Sequence, residues 1–381
     1  MARASGAPQD GGYDYADRCL VAALLAGIAA APDAHALFAE TSTRLRRIAP
    51  FDAAVWVATD PINGLTTAPV RIENLHEGGC GTYWESELFA EHVNLFRDLA
   101  RAETPVAGLR AMTGDRPSLS PLYGSFMRPR GFEDELRAVF RVGGRPWGQL
   151  SLFRARGRDS FDATDIALVD TLCTPMARRL RGFAQPTATS ASALIDTPGM
   201  LLFDPAGSLI SINDEARHLL ALLPPGPSTV TPCGIQISLP AWILSTAGRA
   251  RLAGAGARIR IRTSTGWLVC HASCLRDADS RSGPTVLVVE PAKASEVAAL
   301  LVAAYELTSR ELEVTELIAR GLSTGEIATR LFLSPHTVRD HVKAIFDKVG
   351  VTSRGELVAK LFTDHYEPVT ARNTIRVLDA S

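Results

Sequence analysis

The sequence predicts a multidomain α+β protein in which two modules of mixed strands and helices precede an all-α domain of four short helices. Three observations support this architecture. The chain has 381 residues, which is more than one ordinary domain holds. A stretch without large apolar residues, 184–191, separates two segments that alternate between strand and helix patterns. From residue 306 onward, the apolar residues follow helical spacing alone.

The composition is that of a globular protein, with 46% apolar residues, 21% charged residues and a net charge of −1. The whole chain therefore has no electrostatic attraction to nucleic acid or membrane, and any DNA contact must come from local charges. The longest apolar run, from Cys19 to Ala31, is shorter than the roughly 20 residues that a bilayer span needs. Acidic and polar residues precede it, unlike the basic start of a signal peptide. We expect a buried helix there, no membrane partner and a cytoplasmic location.

The cysteines predict neither a disulfide scaffold nor a metal site. Six are scattered through the chain, and only Cys270 and Cys274 are close together, with His271 between them. In a strand the two thiols share one face and His271 points to the other, so three converging ligands are not available. We expect no metal and no cofactor, and we interpret these cysteines as small apolar core residues.

Residues 1–16 are rich in Gly, Ala and Pro, and we expect them to be disordered. The first module, 17–183, begins with the apolar helix and continues with a strand over Ala53 to Ala58. Two further strands, Leu136 to Val142 and Trp147 to Arg154, are joined by Gly143-Gly144-Arg145-Pro146, which is typical of a hairpin turn. A long helix from Asp162 to Leu180 closes the module, with apolar residues at three- and four-residue spacing.

The second module, 192–291, opens with two short strands and a helix. The strands are Met200 to Phe203 and Ser208 to Ile212, and the helix begins at Asn213-Asp214. Residues 224–253 are rich in Pro and Gly and show no clear helix. Three strands then follow, over 257–263, 267–275 and 285–289.

Both modules resemble known sensor domains. Asp134-Glu135-Leu136-Arg137, the hairpin through Trp147-Gly148-Gln149-Leu150 and Phe161-Asp162 resemble the second half of a GAF domain. The hairpin, helix and three-stranded meander of the second module resemble a PAS domain. These resemblances imply sensing of a signal, but an α+β core without a ligand remains open for each module. No haem or bilin attachment motif, phosphate loop or nucleophile elbow is present in the sequence.

We expect a connecting helix over 292–305, followed by the last domain at 306–366. The residues at four helix starts in this domain are predictable from the sequence. Thr308 with Glu311, Ser323 with Glu326 and Ser353 with Glu356 have the spacing of a capping box. Ser334 followed by Pro335 predicts the fourth start. Gly321 and Gly350 predict helix ends.

Three apolar stripes in this domain predict a small helical core. They comprise Val314, Leu317, Ile318 and Leu322; Ile327, Ala328 and Leu331; and Val338, Val342, Ile345, Phe346 and Val349. The opposite face of the third helix carries His336, Arg339, Asp340, Lys343 and Asp347. Such a face is either a solvated surface or a recognition surface for DNA. Residues 330–360 hold six basic and three acidic side chains, whereas 306–326 hold five acidic and two basic. This polarity favours DNA recognition.

The domain resembles the LuxR-type helix-turn-helix. The matching residues are Leu307 to Val314, Gly321-Leu322-Ser323, Glu326-Ile327-Ala328, Leu331, Ser334, Thr337 to Val342, Lys348 to Val351 and Ser353-Arg354. The resemblance implies an all-α four-helix LuxR-type helix-turn-helix domain that binds the major groove. Thr315 departs from the usual leucine, which predicts a slightly looser core. Asp340 stands where many members have a small residue; an acid there can accept a hydrogen bond from cytosine N4, but it also repels phosphate.

The resemblance also implies a role for each candidate DNA-binding residue. Arg339, Asp340 and Lys343 are the base-facing candidates. Ser334, Thr337, His341 and Lys348 are placed to contact phosphates, and Thr324, Arg330 and Arg354 to clamp the backbone from neighbouring helices.

The expected protein is a one-component, sequence-specific transcriptional regulator with double-stranded DNA as its partner. Its front modules either sense a small molecule or mediate dimerisation. We expect a homodimer that uses the last helix, Ser353 to Phe362, and the connecting helix (Val297, Leu300, Leu301 and Ala304). The sequence shows no plausible acid/base pair or nucleophile with a base, so we expect no enzyme activity. The alternative is an enzyme or a partner-binding scaffold with an appended helical module. Residues 367–381 form the C-terminal tail.

Overall fold

The computed structural model describes residues 15–75, 83, 93–185, 197–224, 226–230, 235, 237–263, 266–276, 278–292, 296–297, 300 and 303–360. The predicted N-terminal disorder falls on residues outside this set, except that the first helix already begins at Tyr15. Most of the predicted linker and the whole C-terminal tail also lie outside it.

The first module is a five-stranded antiparallel sheet with helices on both faces. Its strands are β1 (Ala53–Thr59), β2 (Thr66–Glu73), β3 (Val106–Gly108), β4 (Phe132–Val142) and β5 (Arg145–Ala155), in the order β2-β1-β5-β4-β3. Its helices are α1 (Tyr15–Ala30), α2 (Ala34–Ile48), α3 (Phe96–Leu99), α4 (Leu109–Thr113) and α5 (Ala163–Phe183). The predicted hairpin is confirmed: Gly143 and Gly144, with φ of 60° and 71°, form the turn between β4 and β5.

Both faces of this sheet are covered. Alternate residues such as Trp56 and Leu136 face α1, α2 and α5 in one hydrophobic core. Their neighbours, such as Val55 and Phe153, belong to a second core that includes Phe126. The long closing helix is confirmed, with Asp162 as its N-cap in a capping box.

The second module repeats the same strand order. Its strands are β6 (Gly199–Phe203), β7 (Leu209–Ile212), β10 (Ala257–Thr263), β11 (Gly266–Arg276) and β12 (Ser282–Pro291), in the order β7-β6-β12-β11-β10. The short strands β8 (Ser228–Val230) and β9 (Ser238–Pro240) pair with each other. The helices α6 (Asp214–Ala221) and α7 (Ala241–Ala253) complete the module.

The sequence analysis missed α7. This helix has no side-chain N-cap, since Pro240 precedes it, and it contains Gly248. It is held instead by tertiary packing, because Trp242 and Ile243 are buried against the second sheet. Propensity and capping signals therefore could not reveal it.

The two modules are joined by polar contacts that strand β10 makes with β2 and with the turn before β2. Arg260 forms an ion pair with Asp60 at 2.7 Å, and the two side chains are 7% and 0% exposed. The Thr67 hydroxyl donates to the Arg260 carbonyl at 2.7 Å. Asn63 donates to the carbonyl of Arg258. The modules therefore pack side by side in one body.

The described part of the connecting segment is helical and packs inside the chain. Val297, Leu300 and Ala304 are 0%, 3% and 1% exposed and belong to the hydrophobic core of the first module. The predicted dimer seam on this segment is therefore wrong for these three residues, because its apolar face is already buried. Leu301 lies outside the described residues.

The last domain contains four helices as expected: α8 (Ser309–Ala319), α9 (Thr324–Leu331), α10 (Pro335–Val349) and α11 (Arg354–Val358). Its core contains the predicted apolar stripes, with Val314, Ile327, Val338 and Ile345 each fully buried. Among the described residues, no helix is both long and apolar enough to cross a membrane.

Candidate nucleic-acid interface

The helix starts that hold this domain together were predicted from the sequence and are confirmed, with one exception. Capping boxes open α8 and α9, and Ser334 caps α10 ahead of Pro335. At α11, Ser353 accepts the N–H of Glu356 as expected. The Glu356 carboxylate, however, accepts from the backbone N–H and hydroxyl of Thr352 instead of the N–H of Ser353.

The side chains on one face of α10 are exposed to solvent. Its inner residues fix the helix against α8 and α9, so its outer side chains project from a rigid support. Arg339, Asp340 and Lys343 are exposed on this outer face. These are the three residues predicted to face bases.

One further exposed side chain on α10, that of His336, interacts with Asp340. His336 Nδ1 lies 3.0 Å from an Asp340 carboxylate oxygen, one helical turn away. At this distance the imidazole and the carboxylate are within hydrogen-bonding reach of each other on the exposed face of the helix. The i,i+4 spacing was the signal for this pair, but the sequence analysis did not use it.

The candidate phosphate contacts at the start of α10 are arranged around its cap. The Ser334 side chain accepts the N–H of Thr337 at 3.0 Å, and the two hydroxyls lie 2.9 Å apart. His341 is half-buried, whereas Arg330 near the end of α9 is exposed.

Three other candidates make contacts within the domain. Arg354 donates to the Leu322 carbonyl at 2.8 Å and to the Thr324 hydroxyl at 2.7 Å, which ties α11 to the start of α9. Lys348 donates to both oxygens of the Glu311 carboxylate, at 2.7 Å and 3.0 Å. These side chains position helices, and their predicted phosphate contacts stay a prediction.

Glu311 is a structural residue whose second role the sequence analysis missed. Its side chain is only 7% exposed, and it caps α8 while it pairs with Lys348. Burial raises the pKa of Glu311, but the Lys348 ammonium and Thr308 outweigh it and leave the pKa below the ordinary value of 4.5. The buried Thr315 hydroxyl donates to the Glu311 carbonyl at 2.7 Å, so a polar side chain is satisfied where a leucine is usual.

Outside this domain, one group of described residues has the ligand types for a metal ion: His271, Glu290 and Glu296. His271 points away from the buried Cys270, as predicted from the strand pattern. Arg258 donates to His271 Nδ1 at 3.1 Å, so the proton of the neutral ring is on Nε2, which faces Glu296 at 3.2 Å. A histidine that binds a metal through Nε2 needs its proton on Nδ1, so this geometry fits a hydrogen-bonded cluster better than a metal site.

Comparisons with known proteins bear on the C-terminal domain. The family of bacterial regulatory proteins called the luxR family matches residues 305–361. The spore germination protein GerE of Bacillus subtilis is 46% identical over 55 residues, which are 14% of this chain and 74% of GerE. A putative HTH-type transcriptional regulator of Mycobacterium tuberculosis is 46% identical over 52 residues, which are 14% of this chain. The chain spans only 6% of the length of that mycobacterial relative.

Two solved structures show weak overall similarity. The GAF domain of a phosphoenolpyruvate-protein phosphotransferase from Coxiella burnetii has a TM-score of 0.32 at 17% identity, over 43% of this chain and 92% of that one. Escherichia coli SdiA has a TM-score of 0.36 at 11% identity, over 90% and 95%. Both scores are too low to assign the fold of the front modules. The match to GerE and to the family profile rests instead on the helical domain described above, and through this domain the chain belongs to the luxR family of bacterial regulatory proteins.

Proposed function

We propose that the protein is a one-component, sequence-specific transcriptional regulator that binds double-stranded DNA through α10. The observation that carries this proposal is the outer face of α10, where Arg339, Asp340 and Lys343 stand exposed on a helix whose inner face is buried. A helix with such a face fits the major groove, and these residue types can pair with base edges. The remaining candidates around it would bind phosphates.

The front part of the chain would regulate this activity. We propose a GAF-like module over 17–183 and a PAS-like module over 192–291, with 292–305 connecting them to the DNA-binding domain at 306–366. The shared strand order of the two sheets supports their being related modules. Either they bind an unidentified small molecule or they serve dimerisation, and neither role requires catalysis. The protein would act as a homodimer in the cytoplasm, where chromosomal DNA lies.

Selection from a pool of random duplexes with the full-length chain, followed by fluorescence anisotropy, tests the proposal. We expect one enriched sequence, arranged as an inverted repeat with half-sites roughly 10 base pairs apart. Arg339→Ala should weaken binding by about 1–3 kcal/mol and relax the preference at one base pair. Arg320→Ala removes another exposed arginine of the domain, away from α10, and should change neither.

Two results would argue against this assignment. If no sequence is enriched, the protein does not bind DNA sequence-specifically. If Arg339→Ala weakens all duplexes equally, Arg339 contacts phosphate and the base-reading residues lie elsewhere on α10.

A further inference from the structure

The second sheet has an apolar outer face, defined here as the face opposite α6 and α7. On β6, Met200 and Leu202 point outward, while Leu201 and Phe203 are buried beneath. On β12, Val286 and Val288 alternate in the same way with buried neighbours. The strand register pairs Met200 with Val288 and Leu202 with Val286, so the four side chains form one continuous patch.

The patch extends onto the neighbouring strands β7 and β11 and is bounded on β11 by His271, which pairs with Val288 in the strand register. Ile210 lies at the bulge of β7, and Leu275 lies at the bulge of β11. Met200, Ile210 and Leu275 are 48%, 45% and 48% exposed, and all three are large apolar residues. Between them, the cross-strand neighbours on this face are Ser211 and Ser273. Uncharged serines and aliphatic side chains do not attract DNA or an anion, so the patch is suited to a protein surface.

The chain itself covers only one end of the outer face. Val269 is fully buried there, and His271 contacts Glu296 of the connecting segment. Leu202, Val286 and Val288 remain half-exposed and belong to none of the hydrophobic clusters among the described residues. The first sheet, by contrast, is covered on both faces, since Trp56 and Val57, which point to opposite faces of β1, are 0% and 1% exposed.

The dimensions of the patch indicate a modest contact. Four strands about 4.8 Å apart and about five residues of 3.3 Å each give an area of about 250–300 Å². This area is close to the lower end of the roughly 300–600 Å² of the largest apolar patch on a typical monomer, which is often functional. It is smaller than the roughly 800 Å² per partner of a standard stable interface. A partner that binds here must therefore be held by a second contact as well.

We propose that the outer face of the second sheet packs against the same face of a second copy of this chain. An isologous contact places identical residues opposite each other, which an uncharged apolar patch allows and a charged one would not. The choice of a second copy rests on the proposed function, because two DNA-binding domains on an inverted repeat hold two chains together and supply the second contact. Val297, Leu300 and Ala304 of the connecting helix are buried within the chain, so they are not available as an alternative dimer contact.

Sedimentation equilibrium of the full-length chain without DNA tests this contact directly. We expect a weak, concentration-dependent dimer whose dissociation constant rises at least tenfold in Met200→Glu and in Ile210→Lys. Because one variant introduces a negative charge and the other a positive charge, a weaker dimer in both cannot be due to the sign of the charge. Met112→Glu is the matched control, since Met112 is 64% exposed on α4, away from the patch, and this change should leave the dissociation constant unaltered.

Binding to a duplex with a single half-site separates this proposal from the proposed function. Met200→Glu should bind a single half-site like the parent chain and lose at least tenfold in affinity on the full inverted repeat. The proposal is overturned if the parent chain is a monomer both free and on the full repeat. It is equally overturned if Met200→Glu and Met112→Glu dimerise alike. Absence of half-site binding by the parent chain would refute the DNA-binding function, whereas the sedimentation result without DNA would still report on the patch.

Discussion

At the scale of single residues, the Glu311–Lys348 pair explains how α8 and α10 are held together. Glu311 is nearly buried and satisfies the first turn of α8, while Lys348 supplies the compensating charge from α10. Lys348 also donates to the carbonyl of Glu306, whose own carboxylate pairs with Arg181 of α5. The end of the helix proposed to bind DNA is thus connected to the closing helix of the first module.

Lys348→Met should destabilise the C-terminal domain. Removing the ammonium leaves a nearly buried carboxylate without its charged partner, which costs about 1–3 kcal/mol. The pKa of Glu311 lies below its ordinary value, so this pair contributes stability above about pH 4.5 and loses it as the pH falls through the lowered pKa. Without Lys348, burial raises the pKa of Glu311, so protonation relieves the uncompensated charge and the stability deficit of Lys348→Met relative to the parent should shrink as the pH falls.

Circular dichroism during urea unfolding of the C-terminal domain at several pH values measures this effect. Lys343→Met, which removes an exposed lysine from the same helix, is the control and should unfold like the parent. Lys348→Met also tests the predicted phosphate contact. Should Lys348→Met keep full stability and instead lower the slope of log affinity against log salt by about one, Lys348 acts on the DNA backbone.

At the scale of elements, the predictions from the sequence were best for helices of the C-terminal domain, whose signals lie within a few residues. The helices α8, α9 and α10 were predicted with their caps, because cap residues and apolar spacing act over a few residues. Several elements were not predicted, among them β2 and also α2, although Asp33 caps α2 locally. The helix α7 was missed because it depends on Trp242 and Ile243 packing against a sheet whose strands lie elsewhere in the chain. The exposed face of α10 was predicted as well, but the pairing of Lys348 with Glu311, 37 residues apart, needed the tertiary structure.

The turn between α9 and α10 contains a conformation that its residue does not favour. Phe332 ends α9 with φ of 56°, in the left-handed region, and its side chain is 96% exposed. A residue with a Cβ in this region costs about 1–2 kcal/mol relative to glycine, and the exposed ring regains nothing by burial.

Phe332→Gly should therefore stabilise the C-terminal domain by about 0.5–1 kcal/mol, after the greater chain entropy of unfolded glycine is subtracted. Phe332→Ala is the matched control and should bring no gain, since alanine retains the unfavourable φ. Thermal unfolding followed by circular dichroism decides between them. A lower midpoint for Phe332→Gly would mean that the phenyl ring stabilises the domain by a contact.

At the scale of the whole molecule, the two front modules depend on contacts that join distant parts of the sequence. Asp60 and Arg260 are 200 residues apart, and no local pattern indicates that they meet. The sequence analysis consequently treated the modules as independent, although they share a buried ion pair and a hydrophobic cluster.

Replacing one partner of this ion pair should lower the free energy of unfolding by more than half of what replacing both partners would suggest. Asp60→Asn or Arg260→Met alone leaves one buried charge uncompensated, and each should destabilise the folded chain by about 3–5 kcal/mol. The double variant should cost clearly less than the sum of the two, because no buried charge remains. Denaturant unfolding of all four proteins gives the coupling free energy, and strict additivity would show that the pair does not join the modules energetically.

The central claim is that the C-terminal four-helix domain alone carries DNA binding. Expression of residues 306–365 by themselves, with circular dichroism and a mobility shift on the selected duplex at low salt, tests it most directly. We expect a helical, cooperatively unfolding domain that shifts the duplex with lower affinity than the full-length chain, because a single copy binds one half-site. A fragment that is unfolded, or one that folds and shifts no duplex, would contradict the claim.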